Sequence, residues 1–319
     1  MSGSNGFSLE GVQFIDHRKV EWHRAKRTRY LFYQRFHYEY PGPVRNLNQR
    51  LIVVPIDQRG DQRLCDYQLR VLPRPVANRY TSDRFGNRII EIDVLRIETS
   101  VAFEVLMIIE RTAPHNDSEA VPVHGIDLFL GPTRLTTADN RITAIARELS
   151  EQVRDKAHSG YELAERISDW VYRAMRYGAG VTNTETTASE ALRVGQGLCQ
   201  DYAHVMIAIC RAVGLPARYV SGHMLGEGSS HAWVEVLLPS KKGDHLDVVA
   251  FDPTNQRRPN LQYITVAVGR DYADVSPTSG SFIAPHQGCL NFTKKSGLTF
   301  VEYLPSIQHG TTILPATTI

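Results

Sequence analysis

The sequence predicts an α+β protein in two parts: an antiparallel β-sandwich domain, then a helical segment leading into an antiparallel sheet, with one cysteine-bearing helix packed on that sheet. Three observations predict it. Apolar residues alternate with polar ones through most of 30–112, the signature of half-buried strands. From 140 to 213 the apolar spacing changes to steps of three and four, the helical period. After Pro216 three short runs rich in Val, Trp, Phe and Leu follow one another as strands. Helices first and sheet afterwards is the order of an α+β domain.

Composition narrows the function classes. At 319 residues, with 42% apolar and 22% charged, the chain has the make-up of a two-domain globular protein. A net charge of +2 gives no overall field for nucleic acid or an anionic membrane. No run of 18 apolar residues occurs, and the first thirty residues carry no signal-like apolar stretch. The four cysteines (Cys65, Cys199, Cys210, Cys289) form no C-x-x-C, and there is no H-E-x-x-H or calcium loop, so no metal or other cofactor is expected. Cys199 and Cys210 are eleven residues apart on one predicted helix, roughly 16 Å along its axis, too far to bridge. A reducing, cytoplasmic setting is the expectation.

Residues 1–16 are Gly- and Ser-rich and read as a flexible N-terminus. The stretch 17–29 holds six Lys or Arg, read as a solvated entry to the first strand rather than a nucleic-acid arm, because no basic stripe or stacking platform accompanies it. Tyr30, Phe32, Phe36, Tyr38 and Tyr40 fall on one strand face. Tyr67, Leu69 and Val71, then Ile90, Ile92 and Val94, then Val101, Phe103, Val105, Met107 and Ile109, repeat the alternation. Asp83-Arg84-Phe85-Gly86-Asn87 is turn chemistry between two such runs. The sandwich domain thus covers 17–112, with a scaffold or substrate-positioning role, and the Pro-, Gly- and Asn-bearing stretch 113–134 reads as a linker to a second domain, 135–319.

In that second domain Ile142, Ile145, Ala146, Leu149 and Val153 make one helical stripe. Ser159-x-x-Glu162 and Thr187-x-x-Glu190 are capping boxes for two more helices, the second ended by Gly195. Gly195 and Gly197 then form a turn before Cys199, and Ala203, Val205, Met206, Ile209, Cys210 and Val213 give the next helix a wide apolar face, closed by Gly214 and Pro216. Cys199 thereby stands at a helix N-terminus, where unpaired N–H groups and the macrodipole favour thiolate over thiol. Ala217 to Met224, His231 to Leu238 and Leu246 to Phe251 are the three strands, and 264–272 reads as a further strand and turn. The tail after Gly288 fits a closing strand or a lid over the cleft.

His231 opens one strand after the loop Gly226-Glu227-Gly228-Ser229-Ser230, and Asp252 ends the next. Cysteine at a helix N-terminus, histidine on one strand and a carboxylate on the following one is the arrangement of a nucleophilic Cys-His-Asp triad. Each alone has a plain structural reading: a buried cysteine is a small hydrophobe, as Cys210 is taken to be, and Asp-Pro merely ends a strand. In company the three read as nucleophile, base and orienting carboxylate. His124, His204, His223 and His245 lack such company and read as surface or core histidines.

Gly197-x-Cys199-Gln200-Asp201-Tyr202-Ala203, Gly214-Leu215-Pro216-Ala217-Arg218-Tyr219-Val220-Ser221-Gly222, His231-Ala232-Trp233-Val234-Glu235 and Phe251-Asp252-Pro253-Thr254 together resemble the bacterial transglutaminase-like superfamily. The front half, with Asp83-Arg84-Phe85-Gly86-Asn87, resembles the N-terminal region that often precedes that core. The resemblance covers about 30–112 and 135–275. It implies a papain/transglutaminase-like core in which Cys199, His231 and Asp252 are catalytic, acting on a protein or peptide through a thioester. Hydrolysis of an amide or peptide bond is the expectation, with transglutaminase-type transfer from Gln to an amine as the alternative, and a non-catalytic interaction module as the reading from another class. The Cys199 backbone N–H is the first expected oxyanion donor. Trp170, Tyr177 and Gln196 are candidates for the second, and Gln200, Trp233 and Tyr272 for the cleft.

Overall fold

A computed structural model describes residues 9, 11–113, 120–121, 125–153, 159–240 and 245–304. The front domain is a sandwich of two antiparallel sheets. β1 (Ala25–Glu39), β2 (Val44–Leu51), β3 (Gln58–Arg59), β4 (Gln62–Leu72), β5 (Ala77–Ser82), β6 (Arg88–Ile97) and β7 (Ser100–Thr112) supply most of it. Alternation works as expected: Tyr30, Phe32, Phe36, Ile90, Ile92, Phe103 and Met107 are buried together between the sheets. In β4 a register shift between Leu64 and Asp66 moves the inward positions from even to odd numbers, so that Leu64 and Val71 both point in. The basic entry is absorbed by cross-strand carboxylates: Lys26 and Arg27 pair with Glu302, and Arg29 with Glu110.

The second domain begins, after β8 (Ala120–Val121), with α1 (Asn140–Glu151), α2 (Ser159–Ala174), β9 (Arg176–Tyr177), α3 (Ala188–Val194) and β10 (Gln196–Gly197). Thr187 and Glu190 close their capping box in both directions, and Gly195 ends α3 at φ +67°, a left-handed position that favours glycine. The side chain of Ser159 lies outside the described residues. α4 (Cys199–Ala212) follows, and every residue from Asp201 to Arg211 is buried. It is therefore covered all round, by α1, α2 and α3 and by the sheet, rather than on one face. The sheet is β11 (Ala217–Met224), β12 (His231–Pro239), β13 (Leu246–Phe251) and β14 (Tyr263–Gly269), followed by the single turn α5 (Tyr272–Val275). Its order is β14-β11-β12-β13-β8. Part of the expected linker thus belongs to this sheet, since β8 extends it beyond β13.

The tail departs from the expected 135–319 unit. β15 (Thr278–Ile283) pairs with β2, and β16 (Cys289–Tyr303) runs antiparallel to β1 from Cys289↔Glu39 to Tyr303↔Ala25. The chain thus returns to complete the front sandwich, whose sheets read β16-β1-β7-β4-β3 and β15-β2-β6-β5. Residues 1–8 and 10 of the expected flexible N-terminus lie outside the described residues, but Ile15 bridges Leu298.

The two domains meet at the edge strand β14, whose unpaired backbone groups need partners. Asn87, in the Asp83 turn, donates to the Val268 carbonyl at 2.7 Å and accepts from the Val268 N–H at 2.9 Å. Gln62 does the same for Thr265, at 2.7 and 2.8 Å. Asp83 in turn holds Asn87 through its side-chain amide and backbone N–H.

Candidate active site

Cys199 is the first residue of α4, preceded by an extended Leu198. The approach is tight: a Cβ on Gly197 would stand 2.5 Å from Asp201 Oδ2, so only glycine leaves room for that carboxylate. Asp201 accepts hydrogen bonds from the Leu198 N–H and the Thr182 hydroxyl, both at 2.8 Å, which fixes the start of the helix. Burial pushes its carboxyl above the ordinary range.

His231 is the first residue of β12 and is buried. Its Nε2 stands 2.8 Å from Asp252 Oδ2. Cys199 is near enough to raise the pKa of the ring, and Glu227 Oε2 lies 3.5 Å from Nδ1. Behind it the Trp233 ring stacks at 6.2 Å and 27°. Gly222, the cross-strand partner of His231, leaves the room for that indole; a Cβ there would come within 2.6 Å of it.

Asp252 is fully buried and saturated with donors. Oδ2 accepts from His231, from Asn255 Nδ2 at 2.8 Å and from the Tyr263 hydroxyl at 2.6 Å. Oδ1 accepts from the N–H groups of Thr254 and Asn255 at 3.0 and 3.2 Å. Arg257 donates to the Tyr263 oxygen at 2.7 Å. Burial works against ionisation of Asp252, but these hydrogen bonds and the imidazolium charge outweigh it and hold the carboxyl below its ordinary value. For His231, burial likewise favours the neutral ring; the Asp252 hydrogen bond, the Asp252 charge and the nearby Cys199 overcome it, and its pKa is pushed up to about 10. The Asp252 carboxylate on its Nε2 side thus favours the imidazolium form.

The other expected residues are placed as follows. Tyr177 is exposed on β9, paired with Gly197 of β10, two residues before Cys199. Gln196, on β10 beside it, has its amide against Gly178. Gln200 donates to the Asn183 carbonyl at 3.1 Å. Trp233 is buried and supports His231 from behind rather than facing the cleft. Tyr272 takes its N–H to His204 Nε2 and meets Tyr219 edge-on. Trp170 lines the groove between α1 and α2 with Glu148, Leu149 and Arg173, which gives its indole to helix packing.

Sequence reasoning missed Asn255, Tyr263, Glu227 and Lys294. Asn255 had a local signal, since Asp252-Pro253-Thr254-Asn255 is an Asp-led turn in which the side chain bonds the following N–H groups. Tyr263 and Lys294 had none, because they arrive from β14 and β16. Lys294 Nζ donates to the carbonyls of Glu227 at 3.0 Å and Ser229 at 2.8 Å, tying down the loop that leads into His231. His204 and His223 are core histidines; burial lowers the pKa of His204 to about 3 and keeps His223 neutral.

A cysteine opening a buried helix, with a histidine and an aspartate on adjacent strands of the sheet beneath it, defines the class of papain-like thiol enzymes. Family models agree: residues 147–253 match the transglutaminase-like superfamily core, and residues 30–110 match the bacterial transglutaminase-like N-terminal region. The chain belongs to the bacterial transglutaminase-like superfamily. Among its relatives, an uncharacterized protein of Mycobacterium leprae (strain TN) is 32% identical over 166 residues, 49% of this chain and 55% of that one. An uncharacterized protein of Mycobacterium tuberculosis (strain ATCC 25618 / H37Rv) is 37% identical over 168 residues, 48% and 50% of the two chains. The chain thus spans about half the length of the curated relatives it matches. A solved structure from Cytophaga hutchinsonii, described as a candidate cysteine protease, shares the fold with a TM-score of 0.70 at 21% identity, covering 88% of this chain and 94% of that one. The periplasmic domain of TgpA from Pseudomonas aeruginosa is more distant, with a TM-score of 0.38 at 16% identity over 73% and 88%.

Proposed function

We propose that the protein is a thiol-dependent hydrolase of amide or peptide bonds, with Cys199 as nucleophile. The observation that carries this reading is the buried His231 ring, bonded to Asp252 at 2.8 Å, with Cys199 among the groups that push its pKa up to about 10. In such a pair the thiolate sulfur attacks the amide carbonyl carbon, forming the C–S bond while the carbonyl oxygen takes the negative charge. The intermediate collapses as the C–N bond breaks, and His231 gives its proton to the departing amine. Water then attacks the thioester with His231 as base, releasing the acid and restoring the sulfur. The Cys199 backbone N–H, first of α4, is the natural donor to the oxyanion, and Gln196 or Tyr177 supplies the second; such a donor lowers the barrier by about 3–4 kcal/mol. No step calls for a metal or other cofactor. Four unbridged cysteines support a reducing, cytoplasmic location.

One observation favours transfer to an amine as the second reading. The Glu227 carboxylate beside His231 Nδ1 puts a negative charge where a cationic amine acceptor would approach. The test is a Gln- and amide-containing peptide set incubated with and without a primary amine. Free acid alone, lost in Cys199→Ala, supports hydrolysis. Amine incorporation that falls in Glu227→Gln supports transfer. Reaction of Cys199 with iodoacetamide no faster than that of the exposed Cys65 and Cys289 removes the catalytic reading and leaves a binding module.

A further inference from the structure

A cavity of about 250 Å³ lies between the front sandwich and the sheet of the second domain. Ala232, Val234 and Val236 of β12 point into the core around α4, so the intervening Trp233 and Glu235 belong to the opposite face of the sheet, and that face looks into the cavity. Tyr263 and Thr265 of β14, with Val248 and Ala250 of β13, complete the floor. The sandwich supplies the other wall, from the β3–β4 turn (Arg59 to Gln62) and Arg111 of β7. Arg258 and Pro259, from the turn that follows Asp252, form a third side. None of Cys199, His231 or Asp252 lines the cavity. It stands behind them instead: Trp233 stacks on His231, and the Tyr263 hydroxyl donates to Asp252 at 2.6 Å.

Its charge is unbalanced. Three guanidinium groups, those of Arg59, Arg111 and Arg258, face two carboxylates, Asp61 and Glu235. Both carboxylates are already paired. Arg111 holds Asp61 through Nε at 2.8 Å and Nη2 at 2.9 Å, and Arg218, from outside the lining, holds Glu235 at 2.6 Å. Arg257 adds positive charge beside the floor, 5.3 Å above the Tyr263 ring. A guanidinium has five N–H donors. Arg111 spends three of them, two on Asp61 and one on the Tyr263 carbonyl, and Arg258 spends two, on the Ala250 carbonyl and the Tyr161 hydroxyl. Both therefore keep donors for a ligand. Fixed positive charge in a concave site between low-dielectric walls focuses the field on an incoming anion.

We propose that this cavity binds a small oxyanion carrying two or more negative charges, held between Arg59 and Arg111 of the sandwich and Arg258 of the second domain. At about 30 Å³ per water in the liquid, the volume holds about eight waters. That is room for an anion the size of pyrophosphate or a short tricarboxylate, and not for a peptide segment. The ligand bridges the two domains, so its binding energy adds to the stability of their junction. It sits against the rings that support His231 and Asp252, apart from the cleft in which Cys199 acts. The inference holds whether or not Cys199 is a nucleophile.

The experiment titrates the full chain with pyrophosphate and, in a separate arm, with citrate, at an ionic strength held constant by chloride. Binding is read by isothermal titration calorimetry and by melting temperature. The expected result is saturable binding of one equivalent, with the melting temperature raised by about 2 °C or more at saturation. The two arms tell a phosphate ligand from a carboxylate one. Acetate, with a single charge, should bind about 10-fold more weakly or worse, and the cation spermidine should not bind. Arg258→Gln and Arg59→Gln should each weaken binding by about 10-fold, the loss of a hydrogen bond to a charged group. Arg258→Lys, which keeps the charge, should retain part of the affinity, and Arg45→Gln, exposed on β2 outside the cavity, should retain all of it. Melting temperatures without ligand show whether each variant is folded. Absence of saturable binding by either anion, or an affinity unchanged in both folded glutamine variants, overturns the site.

Discussion

The Tyr263 hydroxyl donates to Asp252 Oδ2 at 2.6 Å, on the same oxygen that His231 Nε2 approaches at 2.8 Å. One carboxylate oxygen thus couples the base to a residue of the edge strand β14, and through Arg257 to the turn beyond Asp252. Hydrogen bonds to a charged group contribute about 1.5–3 kcal/mol each. Tyr263→Phe removes one donor, raises the folded-state pKa of Asp252, and so shifts the acid limb of the activity profile to higher pH. The expected loss in kcat is about 10-fold with KM little changed; an unaltered pH profile would show that the hydroxyl does not act through Asp252.

The elevated pKa of His231 makes a prediction about alkali. Its folded pKa, about 10, lies above the ordinary 6.5, so the stabilisation it brings is fully present below pH 6.5 and is lost as pH rises through about 10. The alkaline limb of activity should accordingly fall near pH 10. Asp252→Asn removes the largest stabiliser of the imidazolium and should bring that limb down towards neutrality. Thermal unfolding and pH–rate profiles of the two proteins check both statements together.

Lys294 is a positioning residue: its two bonds to the 227–229 carbonyls hold the loop ahead of His231. Lys294→Met leaves that loop untied, and misplacement of the base on the order of 1 Å costs up to about 100-fold in rate. We expect kcat to fall by about 10-fold or more, the melting temperature to move little, and Lys294→Arg to restore part of the rate. Equal kcat in all three proteins would reject the tether.

Asn87 and Gln62 each pair with both backbone groups of one β14 residue. Replacing either by alanine leaves an N–H and a C=O at a domain junction without those partners, at about 1–3 kcal/mol. The double variant should be destabilised by roughly the sum, since the two side chains bond different residues of β14. Urea unfolding measures it. A change under about 0.5 kcal/mol in the double variant would mean that the junction is not held by these amides.

Much of the molecule was written in local pattern. Alternation placed the strands of the front sandwich because a strand buried on one face must alternate, as Tyr30, Phe32 and Phe36 do. The glycine turn, the helix period and the valine-rich strands brought Cys199, His231 and Asp252 to attention in chain order. The tail resisted for a physical reason. β16 is an outer strand, mostly exposed from Cys289 to Lys295, so it carries little alternation, and its partner β1 lies over 250 residues away in sequence.

Most elements ahead of the tail, and the residue types of the site, are set locally, since backbone periodicity, glycine turns and caps act over a few neighbours. Their surroundings arise on folding. Tyr263 on Asp252, Glu227 and Lys294 around His231, Asn87 on β14 and the cavity at Arg258 all depend on side chains meeting across separate strands and domains. Such contacts follow from chain closure and packing, and local spacing carries no trace of them.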